Sequence, residues 1–413
     1  MKVNLECDGL PSHVQEQAPA LQKQTIMKNF FLSIYLAIKE VARNRGRFLL
    51  VSLVIALITL LVLFIAALGE GLGNSNRQYL SNLDADMLVF LEKADFVIPS
   101  SRVDKTLART LRRVDGVESA GIIAASGTAI LLPNDEVLKV SILGIEPGTP
   151  GAPAVIEGSN LTSELASEVL IDKNVALRTD IKVGDRITIR STQGTEDEFY
   201  ELKVIGMTDG NLYQFAPSIF VTFSNWDKMR TKSDTELGRE STTVNVIAVK
   251  VKEGADLETV KANILARASN VEIADIPTAI SNVPGYSAQQ STVNTQAIFT
   301  LLIGILVIGG FFQIQVLQKV PQIGVMKAIG ASNAVVGLAS VIQIMVVTAF
   351  GVAVGGGLAY VFSLTFPPTV PIIFNGTNSL IAVIALLLIG PLGGMVSIIY
   401  AVRIEPLKAL RLS

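Results

Sequence analysis

Four long apolar runs without a charged side chain constrain this 413-residue chain more than any other feature. The first, Phe48–Leu68, covers about 31 Å as an α-helix, enough to cross a hydrocarbon core of ~30 Å. The other three runs are Ala297–Gln318, Ala334–Phe366 and Leu380–Val402. Helices in soluble cores seldom continue this far without a charge, so the sequence predicts four transmembrane helices.

Composition excludes several classes of protein. Half of the residues are hydrophobic and only 17% are charged, against roughly 25% charged in soluble domains. A formal charge of −2 argues against a strongly basic nucleic-acid-binding protein. The single cysteine, Cys7, and the single histidine, His13, lie in a polar N-terminal tail. These counts exclude an intramolecular disulfide, a Cys/His zinc cluster and a histidine-based catalytic triad.

The charges are distributed unevenly. Residues 69–295, between the first two runs, carry a net charge of −9, whereas the rest of the chain carries +7. Basic residues precede the first run, lie between the second and third, and follow the fourth, while the connection between the third and fourth has no charge. The positive-inside rule therefore places both termini in the cytoplasm and the acidic region outside it. Since the chain offers no partner for Cys7, this region cannot depend on an intramolecular disulfide.

The acidic region has the pattern of an α+β domain. Short Val/Ile-rich runs alternate with turn signals and predict seven strands. They begin near residues 86, 116, 137, 185, 199, 218 and 243. Helices are predicted at Arg102–Val114, Gly158–Ser167 and Asp256–Ala268, and a tight turn at Gly184-Asp185. The predicted fold is a membrane protein with four transmembrane α-helices and an α+β extracytoplasmic domain inserted between helices 1 and 2.

The complete predicted organisation alternates membrane and aqueous segments. It begins with a polar N-terminal tail at 1–27, which is expected to be disordered. The segments that follow are an amphipathic cytoplasmic helix at 28–47, transmembrane helix 1 at 48–68, the external domain at 69–295, transmembrane helix 2 at 296–318, a cytoplasmic coupling helix at 319–333, transmembrane helix 3 at 334–366, an external loop at 367–378, transmembrane helix 4 at 379–402 and a cytoplasmic tail at 403–413.

We find no pattern of catalytic or ligand-binding residues in the external domain. Two acidic clusters, at residues 84–95 and 196–198, are better explained as solvated surface than as a cation site or an acid–base pair. The glycines at 69–73 follow a membrane helix instead of a strand, which favours a flexible end of that helix over a dinucleotide loop. Trp226 is predicted to pack inside the domain. No catalytic, cofactor or metal site is expected in this chain.

The segment between the second and third runs carries the most specific signal. Pro321 suits the first turn of a helix and Gly330 suits its C-terminal cap. The segment contains two lysines and no acidic residue, and its apolar positions at i, i+3 and i+6 are Ile323, Met326 and Ile329. Such a helix can anchor in the membrane interface or serve as a docking element for a cytoplasmic partner. Composition leaves both interpretations open.

Here the sequence resembles a known family. Residues 322–331 read QIGVMKAIGA, close to the R-x-x-E-I-G-[IV]-x-[KR]-A-[IL]-G-A motif of MacB/FtsX-like permeases of ABC transporters. Gln322 departs from the pattern, where the family usually has Glu, so no salt bridge is assigned to it. The ending IEPLKALR at 404–411 is similar to the family's P-x-x-A-L-R, and residues 34–47 resemble the amphipathic helix before its first span. The order of one span, a large domain and three spans is also similar.

The resemblance implies a dimeric permease in which each subunit docks one cytoplasmic ATPase subunit. The implied docking residues are Pro321, Gln322, Ile323, Gly324, Val325, Met326, Lys327, Ala328, Ile329 and Gly330. The implied contacts of the cytoplasmic tail are Glu405, Pro406, Leu410 and Arg411. No G-x-x-x-x-G-K-[ST] motif occurs in the chain, so ATP and Mg are expected in the partner. The other expected partners are the lipid bilayer and an extracytoplasmic protein such as a membrane-fusion protein. No nucleic-acid partner is expected.

Small and amide residues within the spans are expected to mediate helix packing. Gly351 and Gly355 in the third span, and Gly390 and Gly394 in the fourth, permit close helix contacts, either within one chain or across a dimer. The Gly390-Pro391 pair permits a kink. The sizeable polar side chains in or near the spans, expected to form interhelical hydrogen bonds, are Gln296, Gln313, Gln315 and Gln343.

Three functions remain open from the sequence. The first is the permease subunit of an ABC-type exporter that extrudes a hydrophobic, amphiphilic, peptide or lipid-linked compound through ATP-driven motion of its external domain. The second is a mechanotransmitting regulatory subunit that activates a cell-wall hydrolase or a sensor without transport. The third is a membrane-anchored binding module without an ATPase. Absence of ionisable residues from the spans is consistent with mechanical transmission. The expected localisation is the bacterial cytoplasmic (inner) membrane, as a multi-pass protein with both termini in the cytoplasm.

Overall fold

The computed structural model describes residue 31 and residues 33–405, except 134, 135, 234, 235, 237, 239, 368 and 369. The predicted tail at 1–27, with Cys7 and His13, lies outside the described residues, as do Pro406, Leu410 and Arg411. The chain divides into two compact units. The first takes the residues up to Ala67, Val293–Phe366 and those from Phe374 onward, and the second takes Leu68–Thr292 and Pro367–Ile373.

The described residues form eleven α-helices and thirteen strands. The helices are α1 (33–43), α2 (Arg45–Ser81), α3 (Leu107–Leu111), α4 (Lys173–Thr179), α5 (Phe223–Met229), α6 (Leu257–Arg267), α7 (Ile276–Ser281), α8 (Tyr286–Gln318), α9 (Val320–Ala328), α10 (Asn333–Thr365) and α11 (Gly376–Arg403). The strands are β1 (Met87–Leu91), β2 (Val103–Asp104), β3 (Val117–Leu131), β4 (Val137–Ile145), β5 (Val155–Gly158), β6 (Glu168–Asp172), β7 (Arg186–Gln193), β8 (Glu196–Thr208), β9 (Leu212–Tyr213), β10 (Ala216–Thr222), β11 (Thr243–Val244), β12 (Val246–Val251) and β13 (Val271–Asp275).

The first unit is a bundle built on the four apolar runs. Among the described residues, α2, α8, α10 and α11 are long and apolar enough to cross a membrane, which confirms the four predicted transmembrane helices. Their buried side chains form one apolar core that includes Val51, Phe312, Val347 and Leu386. The outward surfaces of the same helices are also apolar, as expected for a bundle solvated by lipid.

Helix α2 does not end in a flexible glycine segment, and that interpretation of residues 69–73 is wrong. The helix continues to Ser81 and places Tyr79 and Leu80 in the core of the second unit. A Cβ at Gly71 would collide with the carbonyl of Pro371. Glycine costs about 1 kcal/mol relative to alanine in a helix, and here that cost is offset by the close approach of another segment and by burial of the two side chains.

The second unit is an α+β domain around a large mixed sheet. Its strand order is β13-β1-β12-β3-β4-β10-β6-β8-β5, with β7 paired to β3 and β8. Most neighbours are antiparallel, whereas β10 runs parallel to β4 and β6 runs parallel to β8. Apolar side chains form a separate core on each face. All seven predicted strands are confirmed, and so is the fold class.

Two of the three predicted helices need correction. The segment predicted as a helix from Gly158 to Ser167 is irregular beyond Gly158, the last residue of β5, because Gly158 has φ +84° and Ser159 N donates to Ile205 O at 2.9 Å. The helix predicted at Arg102–Val114 shortens to α3, since Val103–Asp104 pairs with β11. The third prediction is confirmed by α6, whose first turn is capped by a 2.9 Å hydrogen bond from Thr259 N to the Asp256 carboxylate.

The acidic clusters lie on the domain surface in ordinary structural roles. Asp84 forms an ion pair with Lys250 at 2.6 Å, and Asp86 accepts a hydrogen bond from Val251 N at 2.7 Å. The cluster at 196–198 opens β8, where it pairs with the end of β7. Trp226 is buried and stacks on Phe223 with ring centroids 5.6 Å apart, which confirms its predicted packing role.

Candidate coupling site

Helix α9 is a short helix with two well-defined ends. Pro321 occupies its first turn, as predicted. At the other end Gly330 has φ +106°, and Gly330 N donates to Lys327 O while Ala331 N donates to Met326 O, both at 3.0 Å. This pair of bonds is a Schellman motif, which satisfies the last carbonyls of the helix and favours glycine at the left-handed position. The predicted C-terminal cap at Gly330 is therefore confirmed.

The predicted apolar stripe of α9 does not form one exposed surface. Ile323 is 8% exposed and packs with Val316 and Val336, with Met326 partly buried beside them. Ile329, by contrast, is 82% exposed and Val325 is 43% exposed. Since these two residues are four positions apart, they share the outward side of the helix end. The inward face holds α9 on the bundle, and the outward face is available to another molecule.

The remaining predicted docking residues divide between the two faces. Gly324 is buried, Pro321 and Lys327 are partly buried, and Gln322 and Ala328 are exposed. Gly330 is exposed as well. The outward surface of the site, which we call the α9 outer face, therefore consists of Gln322, Val325, Ala328, Ile329 and Gly330.

Lys319, immediately before α9, is not a free surface cation. Its ammonium forms an ion pair with the carboxylate of Glu40 on α1 and lies 5.7 Å from the centre of the Phe48 ring. Burial lowers the pKa of the Lys319 ammonium, and the ion pair with Glu40 opposes that shift. The residue therefore connects the start of α9 to α1 and to the first residues of α2.

Lys327 connects the other end of α9 to α11. Its Nζ donates hydrogen bonds to Val402 O at 2.6 Å and to Ile404 O at 2.9 Å. These carbonyls lie at the C-terminus of α11, where helix geometry leaves acceptors without partners and the helix dipole favours a cation. Both lysines of the segment thus hold α9 in place. Their positive charge is evident from the sequence, whereas these contacts depend on the tertiary structure.

The predicted tail contacts are only partly described. Ile404 is buried with the inner face of α9, and Glu405 is exposed and forms interactions of its own. The other three residues lie outside the described residues, so their predicted role remains a prediction.

The four predicted packing glycines all face neighbouring helices of the same chain. A Cβ at Gly351 would lie 2.7 Å from Ile55 on α2, and one at Gly355 would collide with Ala56 O. In the same way, Gly390 faces Thr348 and Gly394 faces Ile344, both on α10. These contacts join α10 to α2 and to α11.

A further close contact, between Gly309 on α8 and Gly393 on α11, was not predicted from the sequence. A Cβ at Gly309 would lie 2.7 Å from Gly393 O, and one at Gly393 would lie 2.7 Å from Ile305 O. Because a side chain on either residue would separate the backbones, these glycines set the distance between α8 and α11. The Gly309-Gly310 pair within an apolar run is the sequence feature from which this close helix contact could have been predicted.

The four glutamines behave differently from one another. Gln313 Oε1 accepts a hydrogen bond from Ser397 Oγ at 3.2 Å, joining α8 to α11 as predicted. Gln296 is exposed on α8. Gln315 and Gln343 are buried, yet their Nε2 atoms have no hydrogen-bond partner among the described residues. For the amide nitrogens of this last pair, the predicted interhelical hydrogen bonds are absent from the described part of the chain.

The chain forms a four-helix membrane bundle, an α+β domain inserted between the first two spans, and a short helix, α9, packed against the bundle. This arrangement is that of a membrane permease subunit. The family model of the MacB-like periplasmic core domain matches residues 48–267, and that of the FtsX-like permease C-terminal domain matches residues 294–406. The chain belongs to this MacB/FtsX-like family of ABC transporter permeases and is a multi-pass membrane protein.

Relatives from two bacterial species match nearly the whole chain. Two are "Putative hemin transport system permease protein HrtB" from Staphylococcus haemolyticus (strain JCSC1435) and from Staphylococcus epidermidis (strain ATCC 12228 / FDA PCI 1200). They are 23% and 22% identical to this chain, and each match covers 91% of this chain and 98% of the relative.

Solved structures similar to the chain cover only part of it. The extracellular domain of the noncanonic ABC-type transporter YknZ from Gram-positive bacteria is 14% identical, with a TM-score of 0.35, covering 46% of this chain and 98% of that domain. The periplasmic region of MacB from Actinobacillus actinomycetemcomitans is also 14% identical, with a TM-score of 0.35, covering 50% of this chain and 97% of that region.

Proposed function

We propose that this chain is the membrane subunit of an ABC-type exporter whose separate ATPase subunit docks on the α9 outer face. The observation that carries the proposal is the exposure of Ile329 and Val325 on a helix whose two lysines are both engaged inside the chain. Because α9 is attached to the bundle at both ends, a partner that binds this apolar surface can transmit a displacement to the bundle. ATP and Mg bind to that partner in this proposal.

The same contacts suggest how a displacement of α9 reaches the bundle. Lys319 connects α9 to α1, Lys327 connects it to α11, and Ile323 packs against α8 and α10. A push on the α9 outer face therefore acts on four neighbouring helices at once. Helices α2 and α8 then carry the motion onward, since each continues without interruption into residues of the α+β domain.

Orientation and assembly follow the same proposal. The basic residues beside α1, α9 and α11 support an orientation with both termini and α9 in the cytoplasm and the acidic domain outside the cytoplasmic membrane. Two copies of the chain form a homodimer that binds two ATPase subunits. An extracytoplasmic partner, such as a membrane-fusion protein, is an additional expected component.

The cargo we propose is a hydrophobic or amphiphilic compound, with peptides and lipid-linked molecules in the same range. Hemin is the first compound to test because the relatives that match 91% of this chain carry it in their names. It is a large planar amphiphile, which partitions into membranes and therefore suits a transporter that collects its cargo from the bilayer.

The docking proposal is tested by replacing Ile329 with Glu and measuring co-purification of the ATPase subunit. A charge at the centre of an apolar contact removes about 2 kcal/mol or more of binding energy, so the bound ATPase should fall by at least roughly tenfold. The matched control is Leu165→Glu in the α+β domain, where the side chain is 77% exposed and binding should not change. Full retention of the ATPase by Ile329→Glu would refute docking on this face.

The export proposal needs a separate measurement. The complex reconstituted in vesicles should hydrolyse ATP faster when hemin is added, and Ile329→Glu should abolish the response. If neither hemin nor peptides nor other amphiphiles change the rate, while the domain binds a cell-wall hydrolase, the chain is a mechanotransmitting regulatory subunit instead of an exporter.

A further inference from the structure

A cavity of about 450 Å³ lies within the first unit, beside α9. Residues of α1, α8, α9, α10 and α11 line it, together with Asn44 and Lys319. The volume corresponds to more than ten water molecules at ~30 Å³ each and falls within the range of small-molecule sites. Of the α9 outer face, Gln322 alone contributes to its wall, and the apolar docking residues Val325 and Ile329 do not line it.

The charged groups that line the cavity are predominantly basic. They are Lys39, Glu40, Arg43 and Lys319. Glu40 and Lys319 neutralise each other in their ion pair. Lys39 Nζ donates to Tyr35 OH at 3.2 Å, and Arg43 has no side-chain hydrogen bond or ion pair to any described residue. The cavity wall therefore includes two exposed basic residues that have no acidic partner in the described part of the chain.

Two buried amide donors lie in the wall of the same cavity. Gln315 is 3% exposed and Gln343 is 6% exposed, and the Nε2 atom of each lacks a partner among the described residues. A buried polar group without a hydrogen bond is costly, so such groups usually face water or a ligand. Here two of them occur on different helices and line one cavity that also carries excess positive charge.

The rest of the wall is apolar. Phe312, Val316 and Ile344 belong to membrane-spanning helices and line the cavity beside the amides. A free inorganic anion gains nothing from such surface, whereas the glycerol and first methylene groups of a lipid do. Basic pockets between transmembrane helices bind anionic lipid head groups in this way.

We propose that this cavity binds the phosphate group of an anionic phospholipid, with Lys39 and Arg43 supplying the charge and Gln315 and Gln343 donating hydrogen bonds. Because α1, α9 and three spans all contribute to the wall, the lipid would fill the space between elements that the coupling helix moves. The proposal does not depend on the identity of the exported compound.

The test is native mass spectrometry of the full-length chain purified in detergent with equal amounts of phosphatidylglycerol and phosphatidylcholine. The wild type should retain phosphatidylglycerol roughly tenfold more, because the choline cation offsets attraction to the two basic residues. Arg43→Gln and the double variant Gln315→Leu with Gln343→Leu should each lower the preference by at least about threefold. Arg43 is exposed, so its variant folds even if the double variant does not.

Arg45→Gln is the matched control, since Arg45 is an exposed neighbour that does not line the cavity, and it should leave the preference unchanged. Equal retention of the two lipids by the wild type would overturn the proposal. So would an unchanged preference in Arg43→Gln. Displacement of the lipid by excess inorganic phosphate would identify a site for the free anion and would also overturn the assignment to a lipid.

Discussion

The ion pair between Lys319 and Glu40 offers the sharpest test of how α9 is held. We consider Glu40→Gln, Lys319→Met and the double variant. The Lys319 side chain is 14% exposed and that of Glu40 is 31% exposed, so the pair is intermediate between a surface and a buried ion pair. Breaking a buried pair from one side costs about 3–5 kcal/mol, and a surface pair contributes about 0.2–1 kcal/mol.

We therefore expect Glu40→Gln to destabilise the bundle by about 2 kcal/mol, because it leaves the ammonium of Lys319 buried without its partner. Lys319→Met should cost about 1 kcal/mol, since the carboxylate of Glu40 can still be reached by water. The double variant removes both charges and should be less destabilised than Glu40→Gln alone. The coupling between the two positions is then about 1–2 kcal/mol.

The assay is thermal unfolding of the purified chain in detergent, followed for the wild type and the three variants. A loss of about 2 kcal/mol corresponds to roughly 4–8 °C for a unit of this size. Arg186→Gln is the control, because its ion pair with Glu201 joins side chains that are 75% and 67% exposed and should contribute less than about 1 kcal/mol. If the two single losses simply add in the double variant, Lys319 and Glu40 are not coupled and our account of α9 is wrong.

Three further predictions concern the bundle, the α+β domain and α11. Gly309→Ala should destabilise the chain by about 1–3 kcal/mol, because the new methyl group collides with α11. Gly310→Ala has open space around it and should be neutral or stabilising. Thermal unfolding should therefore show a lower midpoint temperature for Gly309→Ala and an equal or higher one for Gly310→Ala. Tyr79→Phe should cost about 1–3 kcal/mol through its lost 2.9 Å hydrogen bond, and the exposed Tyr360→Phe should cost nothing measurable by the same assay. Lys327→Met should speed amide hydrogen exchange at the C-terminus of α11 several-fold; unchanged exchange there would contradict the proposed cap.

Local patterns predicted the elements whose formation depends on nearby residues. The absence of charge over more than twenty positions is sufficient to select a membrane-spanning helix, because a charge in hydrocarbon is costly. Alternating Val and Ile residues predicted strands such as β4 and β12. The C-terminal cap at Gly330 was also predictable, since the motif involves only residues 326–331.

Elements that depend on distant neighbours were not predicted correctly. Helix α2 continues through Gly71 because Tyr79, further along the helix, is buried in the core of the second unit. Gly71 itself leaves the space that the carbonyl of Pro371 occupies. The stretch after Gly158, where β5 ends, is irregular instead of helical, and Ser159 N donates to Ile205 O. In both cases, the deciding contact lies dozens of residues away along the chain.

The coupling site shows the same division. The sequence by itself determined that α9 is a short helix with two lysines and an apolar pattern, between the second and third spans. Only the tertiary structure decided that Ile323 faces the bundle while Ile329 faces outward, and that Lys319 and Lys327 bind Glu40 and the end of α11. The physical reason is that helix periodicity and charge are properties of adjacent residues, whereas burial and ion pairing depend on which distant residues the fold brings together.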